Sequence, residues 1–519
     1  MAQPTSVPIV RRVLAGAGWL MGWRVVSRLL GFASVLILAQ LLAPADFGIV
    51  AVATAVTAAI DGLSQMGVRE ALVRLGGDGR DHYDTAFTVQ AARGLVTGGL
   101  VAALGLAAGP VLGEARLAPV LLLLAGGVVV AGWENIGVVR LSRDLDFRTQ
   151  VAMQAAPRLL GFVLTTALAF LLRSYWALVW GAVAARLVWV AVSYTVAPHR
   201  PGFSLRGWRY LLGFSAWTWA SGLAMIVWTR ADPFLLGPAL GSAGLGIYML
   251  AFEVAVLPVT ELIEPASVAL FPGFVAAQRQ GSETVATGLR VAGVLALCTA
   301  PLSVGVSAGS GFLVAGLLGP GWQAAQPVIA VLAWLGLFSP YSFVCATVLS
   351  AKGRVRLVFH GVAAAAALKV ATLLLVRPTG DLRLIALASV LVVAAEAGIF
   401  VWQLRAAGGA EVRRAAGAML RMAAAAAGTA AALYLAVPGA WQEVALGRVA
   451  ALAAGAATGL LGIAVFAAAQ ALLWAACGCP AGPEAQLRAA WRGLALVRRV
   501  EAPARLAVAG WLTAWRRGW

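Results

Sequence analysis

Two arginines four positions apart, Arg24 and Arg28, stand inside an otherwise apolar stretch near the start of the chain. At that spacing both project from one face of a helix, and guanidinium groups bind diphosphate oxygens through paired hydrogen bonds. They read as head-group ligands for an anionic substrate; the alternative is that they snorkel to lipid phosphates. Acidic residues interrupt other apolar stretches: Asp61, Glu134, Glu253, Glu261, Glu264 and Glu396. A central Arg or Asp costs roughly 2.5–3.5 kcal/mol on the membrane-insertion scale, so each needs a partner or a task. Asp61, Glu253, Glu261 and Glu396 read as gate residues or as carriers of a coupling ion, proton or sodium. At about 100° per residue Glu253 and Glu264 share a helix face, with Glu261 less than a quarter-turn away. Glu134 and Glu264, near span ends, are expected to be hydrated. Arg93, Arg158, Arg186 and Lys369 are expected to serve as helix-end or inter-helix partners rather than as substrate ligands.

The elements that must position these residues are membrane spans. Hydrophobic residues make up 61% and charged residues 12% of the 519, with mean hydropathy +0.88, far from the quarter or so of charged residues usual in soluble domains. At ~20 apolar residues per crossing, about fourteen spans are expected, near 14–42, 46–68, 84–109, 117–140, 152–172, 174–197, 210–230, 242–272, 286–310, 323–350, 357–376, 382–404, 414–436 and 445–475. The net charge of +18 would suggest nucleic acid in a soluble protein, but here it collects in alternate connections, and no nucleic-acid partner is expected. Arg11 and Arg12, Arg69 to Arg80, Arg140 to Arg148, Arg200 to Arg209, Arg279, Lys352 to Arg356, and Arg405 with Arg413 form one set. The turns at Pro44, Glu114, Arg173, Arg230–Asp232, Pro320, Arg377–Arg383 and Glu443 form a sparser one. By the positive-inside rule the first set, and with it both termini, is cytoplasmic. The first apolar segment carries arginines and runs straight into another span, unlike a cleavable signal peptide. Pro258, Pro265 and Pro272 in the eighth span can bend it or simply be accommodated there.

The chain repeats weakly. LLAPADFGIVAVA from Leu41 aligns with ALGSAGLGIYMLA from Ala239, pairing Gly48 with Gly246 and Ile49 with Ile247 at an offset of 198 positions. The basic connections at Arg140–Arg148 and Lys352–Arg356 follow the fourth and tenth spans. Six spans separate each pair, so the copies keep one orientation. An all-α integral membrane protein follows, with two parallel six-helix lobes around a central cavity (1–209 and 210–405), two further spans (406–476) and a basic, tryptophan-rich tail (477–519). The tail reads as amphipathic helices lying on the anionic cytoplasmic leaflet.

LLAPADFGIVAVATAVTAAIDGLSQMGVREALVR, from Leu41 to Arg74, and VVRLSRDLDFR, from Val138 to Arg148, resemble the corresponding segments of bacterial Wzx-type polysaccharide flippases, within the multidrug/oligosaccharidyl-lipid/polysaccharide exporter superfamily. The resemblance implies a MATE-like two-lobed architecture and an undecaprenyl-diphosphate-linked oligosaccharide as cargo, carried across the bacterial inner membrane by alternating access. It also implies the polymerase and glycosyltransferases of one surface-polysaccharide pathway as partners. Three other classes compete. A lipid II flippase handles the same diphosphate lipid. A drug or cation antiporter would favour an acidic and aromatic cavity. A membrane glycosyltransferase or polymerase would need larger outer loops. No GxxxxGK[ST] loop is present, so an ion or substrate gradient is the expected energy source. Cys477 and Cys479 lack a second ligand pair, and Cys298 and Cys345 fall in spans, so neither metal nor cofactor is expected beyond the coupling ion.

Overall fold

A computed structural model describes residues 9–64, 72, 80–112, 114–143, 146–197, 199–206, 216–279, 283–436, 447–480 and 482–488. Among these, every regular element is helical, the form that satisfies its own backbone hydrogen bonds where lipid supplies none. Eleven helices among the described residues are long and apolar enough to cross a membrane, and Gly321–Leu332 with Leu335–Ala351, bent by 51°, makes a twelfth if that pair is one crossing. Leu171, Leu375, Leu435 and Val449 are each more than three-quarters exposed, as suits side chains that meet acyl chains rather than water.

In chain order the helices are α1 (Ile9–Leu41), α2 (Pro44–Ser64), α3 (Arg80–Leu112), α4 (Leu117–Gly132), α5 (Phe147–Leu172), α6 (Trp176–Val196), α7 (Ala216–Arg279), α8 (Thr284–Ala308), α9 (Leu335–Ala351), α10 (Val355–Val376), α11 (Leu382–Gln403), α12 (Arg405–Ala436) and α13 (Arg448–Ala476). α1 lies on α5, α5 on α6, and α4 on both α3 and α6. Beyond residue 216, α8 packs on α9, α10 on α11, and α12 and α13 pack on α8. The broadest seam between the two sets is α2 against α7.

That seam shows why the repeat carries glycine. A Cβ on Gly48 would lie 1.8 Å from the Ser242 carbonyl oxygen, and one on Gly246 would lie 1.8 Å from the Pro44 carbonyl oxygen. Replacing each residue by its repeat partner 198 places away turns one contact into the other, as a two-fold relation between the copies requires. In lipid, helices associate by close packing rather than by the hydrophobic effect, and small residues allow the backbones to approach. Beside this crossing, the Trp322 indole donates to the Ala39 carbonyl at 2.7 Å and meets Phe47 edge-on. The α1–α2 turn is thereby fixed to the segment around residue 320.

Several expected boundaries move. α7 runs 64 residues, through Arg230, Asp232 and all three later prolines, and its non-helical residue is Gly241 (φ 66°, ψ 176°), a conformation essentially restricted to glycine. The turn therefore lies about ten residues beyond the expected one at Arg230–Asp232, because Pro233 and Pro238 are tolerated inside a membrane helix. The fourth span is broken rather than continuous. α4 stops at Gly132, and Asn135 caps a following short turn by accepting from the Gly137 N–H. Glu134, expected to be hydrated, is buried in that break at 6% exposure.

The strap after α6 is pinned to α3. His199 Nε2 lies 3.2 Å from Asp84, the Gly202 N–H donates to the same carboxylate at 2.9 Å, and the Ser204 N–H donates to Thr88 at 2.9 Å. Arg69, Arg74, Arg209, the opening of the expected seventh span, Glu443 and the tail beyond residue 488 lie outside the described residues.

Candidate functional site

Two cavities open against α7. The first, about 630 Å³, is bounded by α1, α5, α6 and the second arm of α7, and its charged wall is Arg28, Arg158, Arg186 and Glu253. Arg28, one of the two head-group candidates, lines this cavity. Arg24, one turn earlier and half-buried, does not line this cavity. Arg158 and Arg186, expected as helix-end or inter-helix partners, line this cavity with Arg28 as well. Their hydrogen bonds among the described residues go to backbone carbonyls, Arg158 to Ser27 at 3.3 Å and Arg186 to Leu124 at 3.3 Å. Neutral carbonyls anchor a guanidinium without cancelling its charge, and arginine does not deprotonate in proteins. The wall therefore carries more positive than negative charge, contributed by arginines of α1, α5 and α6.

The second cavity, about 660 Å³, lies between α7, α9, α10 and α11. Lys369 Nζ donates to Asp232 at 2.5 Å and to the Trp228 carbonyl at 2.9 Å, and sits 5.0 Å from the Trp228 ring centre. Tyr248 and Ser389 share a hydrogen bond at 2.9 Å. Glu396, 8% exposed, faces the same space. Asp232, expected in a turn, is instead the buried partner of Lys369.

The remaining acidic residues separate. Asp61 pairs with Arg93 across α2 and α3 at 3.5 Å, leaving it tied to a structural partner. Glu261 receives Arg28. The side chain of Glu264 lies outside what the structure describes. An intramembrane charge was itself the signal for Arg158 and Arg186; which face each presents depended on helix rotation, which their spacing does not encode.

Polar groups gathered inside a bundle of apolar helices, around a cavity large enough for a head group, are the arrangement of a membrane transport protein. Residues 37–327 match the polysaccharide biosynthesis protein family, and the chain belongs to that family. It is similar to the lipopolysaccharide biosynthesis protein WzxC of Escherichia coli (strain K12), 26% identical over 356 residues, covering 67% of this chain and 72% of the relative. It is also similar to the succinoglycan biosynthesis transport protein ExoT of Rhizobium meliloti (strain 1021), 27% identical over 333 residues, covering 62% of this chain and 66% of that one. Among solved structures, the lipid II flippase MurJ in an inward closed conformation superposes with TM-score 0.67 over 88% of this chain and 99% of its own, at 12% identity. That likeness establishes the fold.

Proposed function

We propose that this protein is a flippase that carries a polyprenyl-diphosphate-linked oligosaccharide across the bacterial inner membrane for surface-polysaccharide assembly. The observation that carries the reading is the convergence of Arg28, Arg158 and Arg186 on one cavity bounded by α1 and α7. A diphosphate offers several oxygens to three guanidinium forks, while a polyprenyl tail left in lipid avoids exposing its CH₂ groups at roughly 0.8 kcal/mol each. A cationic drug would meet repulsion on this wall. Arg24, one turn from Arg28, is assigned with it to the head-group path. The fold is read as fourteen crossings, with α4 and its following turns as one, α7 as two arms divided at Gly241, and the bent pair ending in α9 as another. These crossings form two parallel lobes that rock about the α2–α7 seam, with both termini cytoplasmic. Glu396, beside Asp232 and Lys369, is assigned to the coupling ion, and the pathway's polymerase and glycosyltransferases are the expected neighbours.

The test is complementation of a flippase-deficient strain, with membrane-inserted protein quantified in parallel. A charge-assisted hydrogen bond contributes about 1.5–3 kcal/mol, so each Arg→Ala change at 28, 158 or 186 should lower export about ten- to a hundredfold. Lys should restore only part, because an ammonium lacks the planar fork. Full export by the triple Ala variant at normal protein level would overturn the reading.

A further inference from the structure

In this structure the Arg28 fork is already occupied. Its Nε donates to the Glu261 carboxylate and its Nη2 donates to the Thr260 hydroxyl at 2.6 Å. Arg28 belongs to α1 and both acceptors belong to the second arm of α7, so this clasp joins two helices that bound the cavity and otherwise belong to different sets. The two charged side chains are 33% and 38% exposed. Arg28 also lines the cavity, so a ligand entering it can reach the guanidinium that Glu261 holds.

We propose that Glu261 is a resident stand-in for the substrate's phosphate. It satisfies Arg28 while the cavity is empty and is displaced when a diphosphate arrives. The proposal rests on the reading of the first cavity as a head-group site. A carboxylate brings one charge and two oxygens. A diphosphate brings more of both, and it can reach from Arg28 to Arg158, which is bonded to the carbonyl of Ser27 next to Arg28. Exchange therefore keeps Arg28 fully bonded while adding a second guanidinium to the ligand. Neutral lipids offer nothing to trade for the carboxylate, so Glu261 sets a threshold of charge that a ligand must exceed. The displaced Glu261 takes Thr260 and the second arm of α7 with it, and loading the cavity releases the clasp that joins α1 to α7 in the empty protein. Glu253, on the same arm and at the cavity wall, then faces the ligand's negative charge and favours the same separation.

The experiment uses the full-length protein in lipid nanodiscs, with farnesyl diphosphate as the probe and farnesol as the uncharged control. If the clasp holds Arg28 most of the time, removing the competitor raises apparent affinity by the inverse of the competent fraction. Glu261→Gln should therefore bind farnesyl diphosphate about tenfold more tightly, with a lower thermal midpoint in the empty state and no gain for farnesol. Thr260→Val, which removes the second acceptor, should shift affinity the same way and serves if the first variant fails to fold. In an Arg28→Ala background, which itself weakens binding, Glu261→Gln should no longer matter. Unchanged or weaker binding in both single variants overturns the proposal. So does a gain that persists without Arg28, since that would be general repulsion rather than competition. If binding depends on Arg28 but ignores Glu261 and Thr260, the head-group reading stands and the stand-in fails. If the wild type binds no diphosphate, both fail.

Discussion

The reciprocal glycine crossing makes the sharpest prediction. Alanine at position 48 would place its Cβ 1.8 Å from the Ser242 carbonyl oxygen and 2.9 Å from the Ser242 Cα. These are backbone atoms, which cannot rotate aside, so α2 and α7 must part by roughly 1 Å or more before contact becomes tolerable. Overpacking of this kind costs about 1–3 kcal/mol, and every 1.4 kcal/mol or so is tenfold in an equilibrium. The structure shown here, with the crossing closed, should therefore be disfavoured about five- to a hundredfold by Gly48→Ala, and by Gly246→Ala for the same geometric reason at Pro44. The assay is thiol labelling in intact cells, in a background with Cys298, Cys345, Cys477 and Cys479 replaced by serine. A reporter cysteine at Phe162, on the wall of the first cavity, should become more reactive toward an impermeant reagent added outside, while export falls. Gly126→Ala is the control, because a Cβ there meets nothing within 4 Å. Normal export and unchanged labelling in Gly48→Ala would refute the reasoning, as would an equal effect from Gly126→Ala.

Two further outcomes follow from buried pairs and the strap. Lys369→Met leaves Asp232 buried without its cation, which should lower stability by roughly 3–5 kcal/mol; the Asp232→Asn, Lys369→Met double variant should recover most of it, and thermal midpoints in detergent compare the three. Burial holds the His199 imidazole below its ordinary value of 6.5, with the Asp84 carboxylate opposing that shift. Docking of residues 199–206 is then fully present above about pH 6.5 and weakens as the pH falls toward the depressed value, because the released histidine takes up protons that the docked one resists. Hydrogen exchange in that strap should speed up on acidification in the wild type and lose this dependence in His199→Gln.

The apolar runs that mark α1 to α6 and α8 to α13 could be read directly because a bilayer demands length and apolarity whatever the neighbours are. Gly48 and Gly246 were visible as a repeat, yet their task was not, since the closeness of two backbones belongs to the pair and not to either stretch. Asp232 was misplaced because charges between two apolar runs read as a connection, whereas α7 continues through them. Arg158 and Arg186 were recognised as intramembrane charges but assigned to structural pairing. Among helices apolar on every side there is little amphipathic asymmetry to show which face turns inward, and only packing decided that both line one cavity with Arg28.

Asp232 and Tyr248 on α7 border the second cavity, while Glu253 and Leu257 on the same helix border the first. The two chambers are back to back on one party wall. With the head group in the basic chamber as proposed, a compound lodged on the Glu396 side would press on that wall without meeting the cargo, and its blockade would not yield to rising cargo concentration. The same wall limits retooling: fitting the basic chamber to a different sugar must leave the opposite chamber's packing undisturbed.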